Sequence, residues 1–279
     1  MPVGADRLLN GVMTTTHPTA DGYLLDNAGR EVPDRWTALS ALFDEPTFRR
    51  LGEVGVRPGW QCLEVGAGGG SVAHWLAARI GPDGQVTATD LDPRWLAEPV
   101  VPNLTVLRHD ITRDPLPVHA YHLIHARLVL GHLAEPAQVI DRLIPALRPF
   151  GWLVLEEFDP RGYLDGACHR PRTEAEHRAN RIRTAFTELL AKRGADLRMG
   201  SRIPELLAER GFGEIGVRGS FETGANVRRL ERANLEQVRD ELIADGITAA
   251  ELDAHLTDLP LLPLLMPVLV STVARKWPS

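Results

Sequence analysis

Apolar and polar positions along the chain follow two alternating rhythms. Short apolar runs of strand length occur at 60–65, 85–90, 104–108, 121–126 and 151–157. Between them, at 71–80, 93–98 and 136–147, apolar residues recur every three or four positions, which predicts helices. Gly81-Pro82-Asp83-Gly84 closes the first helix, and Pro145 ends or kinks the last. Strands alternating with helices predict a parallel sheet covered on both faces, an α/β doubly wound architecture.

The flanking segments differ. Residues 1–55 carry no strand pattern. Trp36, Leu39, Leu42 and Phe43 share one helix face, and Phe48 and Leu51 continue it past Pro46, so this part reads as a helical cap or lid bounded by Pro58-Gly59. Residues 56–160 read as the core, and 161–211 as a helical lid or insert with helices at 171–194 and 201–210. Residues 212–279 hold a sixth strand at 214–221, helices at 225–245 and 248–256, and a seventh strand at 267–275.

Composition narrows the picture further. A chain of 279 residues with 44% hydrophobic residues holds one large core with additions. A net charge of −6 without a long basic run argues against nucleic acid. Cys62 in the first strand and Cys168 in a loop form neither a disulfide framework nor a metal cluster. The segment Met-Pro-Val-Gly-Ala-Asp-Arg lacks the apolar stretch of a signal peptide, and Leu261–Val270, broken by Pro263 and Pro267, is too short to span a bilayer. The expectation is a cytoplasmic protein with a small-molecule partner and no membrane partner.

The candidate chemistry starts at the first strand. Glu64 is followed by Gly66, Ala67, Gly68, Gly69 and Gly70, and Ser71 is placed to help cap the next helix. A strand, a glycine loop and a helix N-terminus make a nucleotide-type corner. The dinucleotide pattern G-x-G-x-x-G/A fails from Gly66, because Ser71 takes the last position, and from Gly68 it fits only late in the turn, ending on Ala73. Glu64 repels a pyrophosphate and suits a cationic ligand. Asp90, ending the second strand 20 residues past Gly70, suits ribose hydroxyls or a helix cap.

The spacing Glu64, Gly66, Gly68, Gly70 resembles that of the class I S-adenosylmethionine-dependent methyltransferases. The resemblance implies a Rossmann-like seven-stranded sheet with strand seven antiparallel, S-adenosylmethionine as cofactor, and methyl transfer to a small, hydrophobic, natural-product-like acceptor. It places Leu91 on the adenine, Asp110 and Ile111 at the adenine edge, and Tyr23 of the cap against the cofactor. It puts His125 and Arg127, at the carboxyl end of strand four, beside the methionine part. Within that fold, a reaction other than methylation, such as cyclisation, and a binding protein without turnover stay open. Phe150 stands where the family's turn carries Gly, and His122 where it carries Asp, which predicts local differences with the binding edge retained.

Several residues keep two readings. Asp110 is an adenine acceptor or a turn former. Arg127 pairs a ligand carboxylate or makes a structural salt bridge. His125 is a cofactor contact, a general base or a packed residue. His119, His122 and His125 stand three apart, but strand alternation turns His122 away from the other two, so no metal is expected. Glu156 and Glu157 fall on opposite faces of strand five, and Glu157 is the second candidate catalytic group. The arginines between Arg161 and Arg183 hold an anionic substrate group or solvate a helix that also carries Glu174 and Glu176.

Overall fold

The computed structural model describes residues 24–25, 32–96, 101–159 and 166–277. Among them seven strands form one sheet: β1 (Gln61–Val65), β2 (Gln85–Asp90), β3 (Leu104–Arg108), β4 (Tyr121–Arg127), β5 (Leu147–Asp159), β6 (Ile215–Ser220) and β7 (Val268–Arg275). Their spatial order is β3-β2-β1-β4-β5-β7-β6, with β7 antiparallel to both of its neighbours. This is the doubly wound sheet that the pattern predicts, with the antiparallel seventh strand that the resemblance implies.

Alternation along the central strands sorts their side chains between two layers. Leu63, Ile124, Ala126, Leu153 and Leu155 face α3 (Pro136–Ala146) and α5 (Met199–Glu209). Cys62, Leu123 and Val154 face α1 (Val32–Val54) and α2 (Ser71–Ile80). A separate helical layer joins α4 (Glu174–Lys192), α6 (Ala225–Gln237), α7 (Arg239–Ala244) and α8 (Ala249–Asp258). Its apolar interior includes Leu24, Leu25, Ile182, Phe186, Leu235, Leu242 and Leu252. Helix α1 bridges both regions, with Leu51 on the sheet and Leu42 and Phe43 against the helical layer.

Several elements depart from expectation. Helix α1 is not among them: it runs unbroken from Val32 to Val54 past Pro46, as the spacing predicts, with buried Leu42, Phe43 and Leu51 on either side of the proline. Ser71 is not the cap of α2. The cap position is Gly70 in left-handed conformation, and the Ser71 hydroxyl donates to Asp44 instead. The helix expected at 93–98 is a 3-10 turn over Pro93–Leu96, and the stretch 225–245 divides at Val238 into α6 and α7. Helix α5, expected in the lid, covers the sheet, since Met199, Ile203 and Leu207 pack into its core. β5 starts at Leu147, where Pro145 has ended α3.

Phe150 adopts a φ of 64°, a region where glycine is unstrained and a side chain is not. Its N–H is held by Lys276 O at 2.7 Å, and its ring packs edge-on against Trp277. His122 stacks on Trp60 and accepts from Gln61 N, taking the acceptor role an Asp would fill. Both departures stay at the start of β4 and β5, away from the carboxyl edge.

Leu143 of α3 is fully buried under β1, β4 and β5. Leu143→Ala should cost about 2–5 kcal/mol in urea unfolding, through lost burial and an unfilled cavity. A cost well below that range would contradict the packing described.

Candidate functional site

The sheet reverses its winding between β1 and β4, and ligands in open α/β sheets settle outside the carboxyl ends of the strands at such a point. The glycine loop lies there. Gly66, Gly68 and Gly70 have φ of 64°, 53° and 81°. A Cβ would stand 2.4 Å from the Val129 side chain at Gly66, and 2.6 Å from the Trp36 ring at Gly68. Neither position tolerates a side chain. Ala67 N donates to Thr89 O, and Gly68 N donates to the Asp90 carboxylate at 2.9 Å, fastening the loop to the end of β2.

Asp90 uses its two oxygens on backbone donors. One oxygen holds the loop, and the other accepts from Asp92 N at 2.9 Å as a turn former. Burial pushes its pKa up, against those two backbone donors. Leu91 is half exposed beside it. Asp110, at the end of β3, accepts from Thr112 N and Oγ1 and pairs with Arg113, so its carboxylate is committed to its own turn. Ile111 is buried, and its carbonyl accepts from Arg142. Tyr23, Arg161 and Tyr163 lie outside the described residues.

The centre of the site is a row of charges under α1. Register places Glu64 of β1 opposite His125 of β4, and Arg127 opposite Glu156 of β5. All four point to the face that α1 covers. His125 Nδ1 meets Glu64 at 2.7 Å, and its Nε2 lies 3.4 Å from Glu156 Oε2. Thr47 of α1 donates to the same Glu156 oxygen at 2.5 Å. Arg127 reaches Thr47 Oγ1 at 3.0 Å and Asp44 at 2.9 Å, and Asp44 also accepts from Ser71 at 2.9 Å. Burial opposes a charge on His125, but the two carboxylates outweigh it and raise the imidazole to about 9. Burial likewise opposes the charge on Glu156, yet His125, Arg127 and Thr47 hold its pKa below the ordinary value.

These placements revise two expectations. His125 is fully enclosed, charged at neutral pH and engaged at both nitrogens, so it cannot take a proton from an acceptor. Arg127 makes the structural salt bridge, to α1. Glu157, on the opposite face, is also buried and accepts from Val129 N at 2.7 Å and Leu130 N at 2.6 Å. It anchors the turn after β4, where Leu128 takes a φ of 58°, and this backbone role replaces the catalytic one. Arg178 pairs with Asp258, Arg181 with Glu174 and Glu251, and Arg183 with Glu231, so these three arginines are matched within the helical layer.

Sequence reading missed Asp44 and Thr47, whose positions on α1 carry no motif. Trp36 was legible as an apolar cap residue, but not as the ring lying across Gly68 and Gly69. His132 was also missed. Burial and the neighbouring Arg35 push its imidazole down to about 4, so it is neutral where the chain leaves β4. Among the described residues no cluster of His, Cys, Asp and Glu could hold a metal, and no helix is long and apolar enough to cross a membrane.

The pattern of one known family, the methyltransferase domain, matches residues 27–199, which span β1 to β5 and the whole polar row. The chain belongs to the methyltransferase domain family. This methyltransferase-domain chain is 32% identical over 159 residues to methyltransferase str2 of Strobilurus tenacellus, covering 56% of this chain and 54% of that protein. It is 28% identical over 116 residues to the ubiquinone/menaquinone biosynthesis C-methyltransferase UbiE of Laribacter hongkongensis, covering 39% and 47%. The chain spans about half the length of these relatives. A solved phosphoethanolamine N-methyltransferase 2 of Haemonchus contortus, in complex with phosphomonomethylethanolamine and S-adenosylhomocysteine, shares the fold. Its TM-score is 0.59 at 16% identity, over 94% of this chain and 61% of that one.

Burial raises Glu157 to about 7, against the backbone donors that favour its charge. Between the ordinary carboxylate range and that value the folded methyltransferase domain holds a proton that the unfolded chain has released. Stability therefore falls as pH rises through this window. Glu157→Gln keeps an oxygen for Val129 N and Leu130 N. It should remove this fall and exceed the unaltered protein above neutral pH by up to about 3 kcal/mol. Melting curves from acid to mildly alkaline pH check this, and parallel curves for the two proteins would contradict it.

Proposed function

We propose that the chain transfers a methyl group from S-adenosylmethionine to a small, largely apolar acceptor. The observation that carries this reading is the glycine loop tied by Gly68 N to Asp90, beside the buried acid Glu64, in a chain of the methyltransferase domain family. The loop is shaped for close backbone approach, and the acid beside it is held in place by the His125 imidazole. Asp90 keeps lone pairs for ribose hydroxyls beyond its two backbone donors, and half-exposed Leu91 offers apolar surface for a purine ring. When bound, S-adenosylmethionine supplies a methyl group made electrophilic by its sulfonium.

The remaining work of the chain is alignment and exclusion of water. Trp36 and the apolar faces of α1 and α4 suit a lid over an apolar acceptor. The names of the Laribacter relative and its counterparts, which act in quinone biosynthesis, support an acceptor of that character. With His125 enclosed and Glu157 committed to backbone, the described residues favour an acceptor that needs little help in losing a proton.

Calorimetric titration tests the reading. S-adenosylhomocysteine should bind and NAD should not, whereas binding of NAD alone would contradict the assignment. Asp90→Ala should stay folded and weaken S-adenosylhomocysteine binding by roughly tenfold to a hundredfold, the loss of a hydrogen bond to a charged group. An unchanged affinity would leave Asp90 only its turn-forming part.

A further inference from the structure

The row of buried charges links the glycine-loop strand to α1. Glu64, His125, Glu156 and Thr47 are each at most 3% exposed, and they run without a break from the strand that carries the glycine loop to the middle of α1. Glu156 Oε1 finds no hydrogen-bond partner among the described residues, so this carboxylate depends on its other oxygen, which takes both Thr47 and His125. A buried carboxylate stripped of such partners becomes protonated or expels the element above it.

We propose that His125 is a positioning residue. It holds the Glu64 carboxylate beside the glycine loop and, through Glu156 and Thr47, makes cofactor affinity depend on how α1 is seated. The proposal rests on the cofactor reading above and assigns His125 no contact with cofactor or acceptor. The geometry supports a coupling in both directions. Helix α1 also lays Trp36 on Gly68 and Gly69, and it holds Ser71 at the start of α2 through Asp44. A ligand that fixes the loop therefore fixes the helix as well, and a loosened helix frees the loop.

The coupling has a pH signature. The groups in contact with His125 are Glu64 from β1 and Glu156 from β5; around these two, Cys62 of β1 lies in the field of Glu64, Arg127 of β4 and Thr47 of α1 act on Glu156, and Asp44 of α1 pairs with Arg127. Of these, Cys62 is raised to about 12 by burial and the charge of Glu64, and stays a thiol. His125, raised to about 9, is the group that changes charge at mildly alkaline pH. Its deprotonation removes the ion that neutralises the two carboxylates. Affinity should thus hold through neutral pH and decline as pH rises through about 9.

Titration with S-adenosylhomocysteine from neutral to alkaline pH tests this on the full chain. It compares the unaltered protein with Thr47→Val, Thr47→Ser and Glu156→Gln, each checked for an intact fold by thermal melting. Thr47→Val keeps the shape of the side chain and removes its hydroxyl. It should weaken binding by about tenfold, and Thr47→Ser should restore it. Glu156→Gln removes one carboxylate beside the imidazole and should move the alkaline decline down by roughly one pH unit. If Glu156→Gln does not fold, the Thr47 pair alone decides. Unaltered protein that binds, with Thr47→Val matching it or Thr47→Ser failing to restore it, overturns the proposal and leaves the cofactor reading standing. Unaltered protein that fails to bind overturns both.

Discussion

A buried imidazole between two buried carboxylates is the constraint on which this structure turns. Glu64, His125 and Glu156 come from three adjacent strands and point to one face, because register and alternation leave them no other direction. Three ionisable groups removed from water are costly unless they are paired and hydrogen-bonded. They must be covered, and the cover must bring a donor. Helix α1 does both, closing the face with Leu51 and Phe48 and supplying the Thr47 hydroxyl to Glu156.

The consequences spread outward from that row. Once Thr47 is fixed, Asp44 one turn earlier meets Arg127 and Ser71, and Trp36 two turns further back lies on the glycine loop. The other face shows the same logic with backbone donors. There Glu157 is held by the N–H groups of Val129 and Leu130, which fixes the turn at the carboxyl end of β4 and brings the Val129 side chain against Gly66. The loop is therefore gripped from α1, from β2 through Asp90, and from the turn after β4. The exposed ion pairs of the helical layer, such as Arg181 with Glu174, add little by comparison.

Much of this was legible from local pattern. All seven strands, the glycine loop and the acids Glu64 and Asp90 announce themselves through spacing alone, since each depends on its immediate neighbours in the chain. What stayed hidden depends on partners far away in sequence. The union of Glu64 with His125 spans 61 residues, and that of Thr47 with Glu156 spans 109. No periodicity encodes such a register, so His125 read as a contact, a base or a packed residue, with nothing local to decide among them. Ser71 read as a cap because a serine before a helix commonly is one, but Gly70 takes the cap position and the Ser71 hydroxyl goes to distant Asp44. Asp110 shows the reverse case, where the plain local reading, a turn-forming acid, is what the structure contains.

The central claim is that the row carries its charges at physiological pH, with the proton on His125. The ring nitrogen chemical shifts of His125, followed by NMR across neutral and alkaline pH, measure this directly. The account predicts an imidazolium with both nitrogens protonated through neutral pH, titrating near the value of about 9 that its two carboxylates impose. A neutral His125 ring at pH 7, in the folded protein, would contradict it.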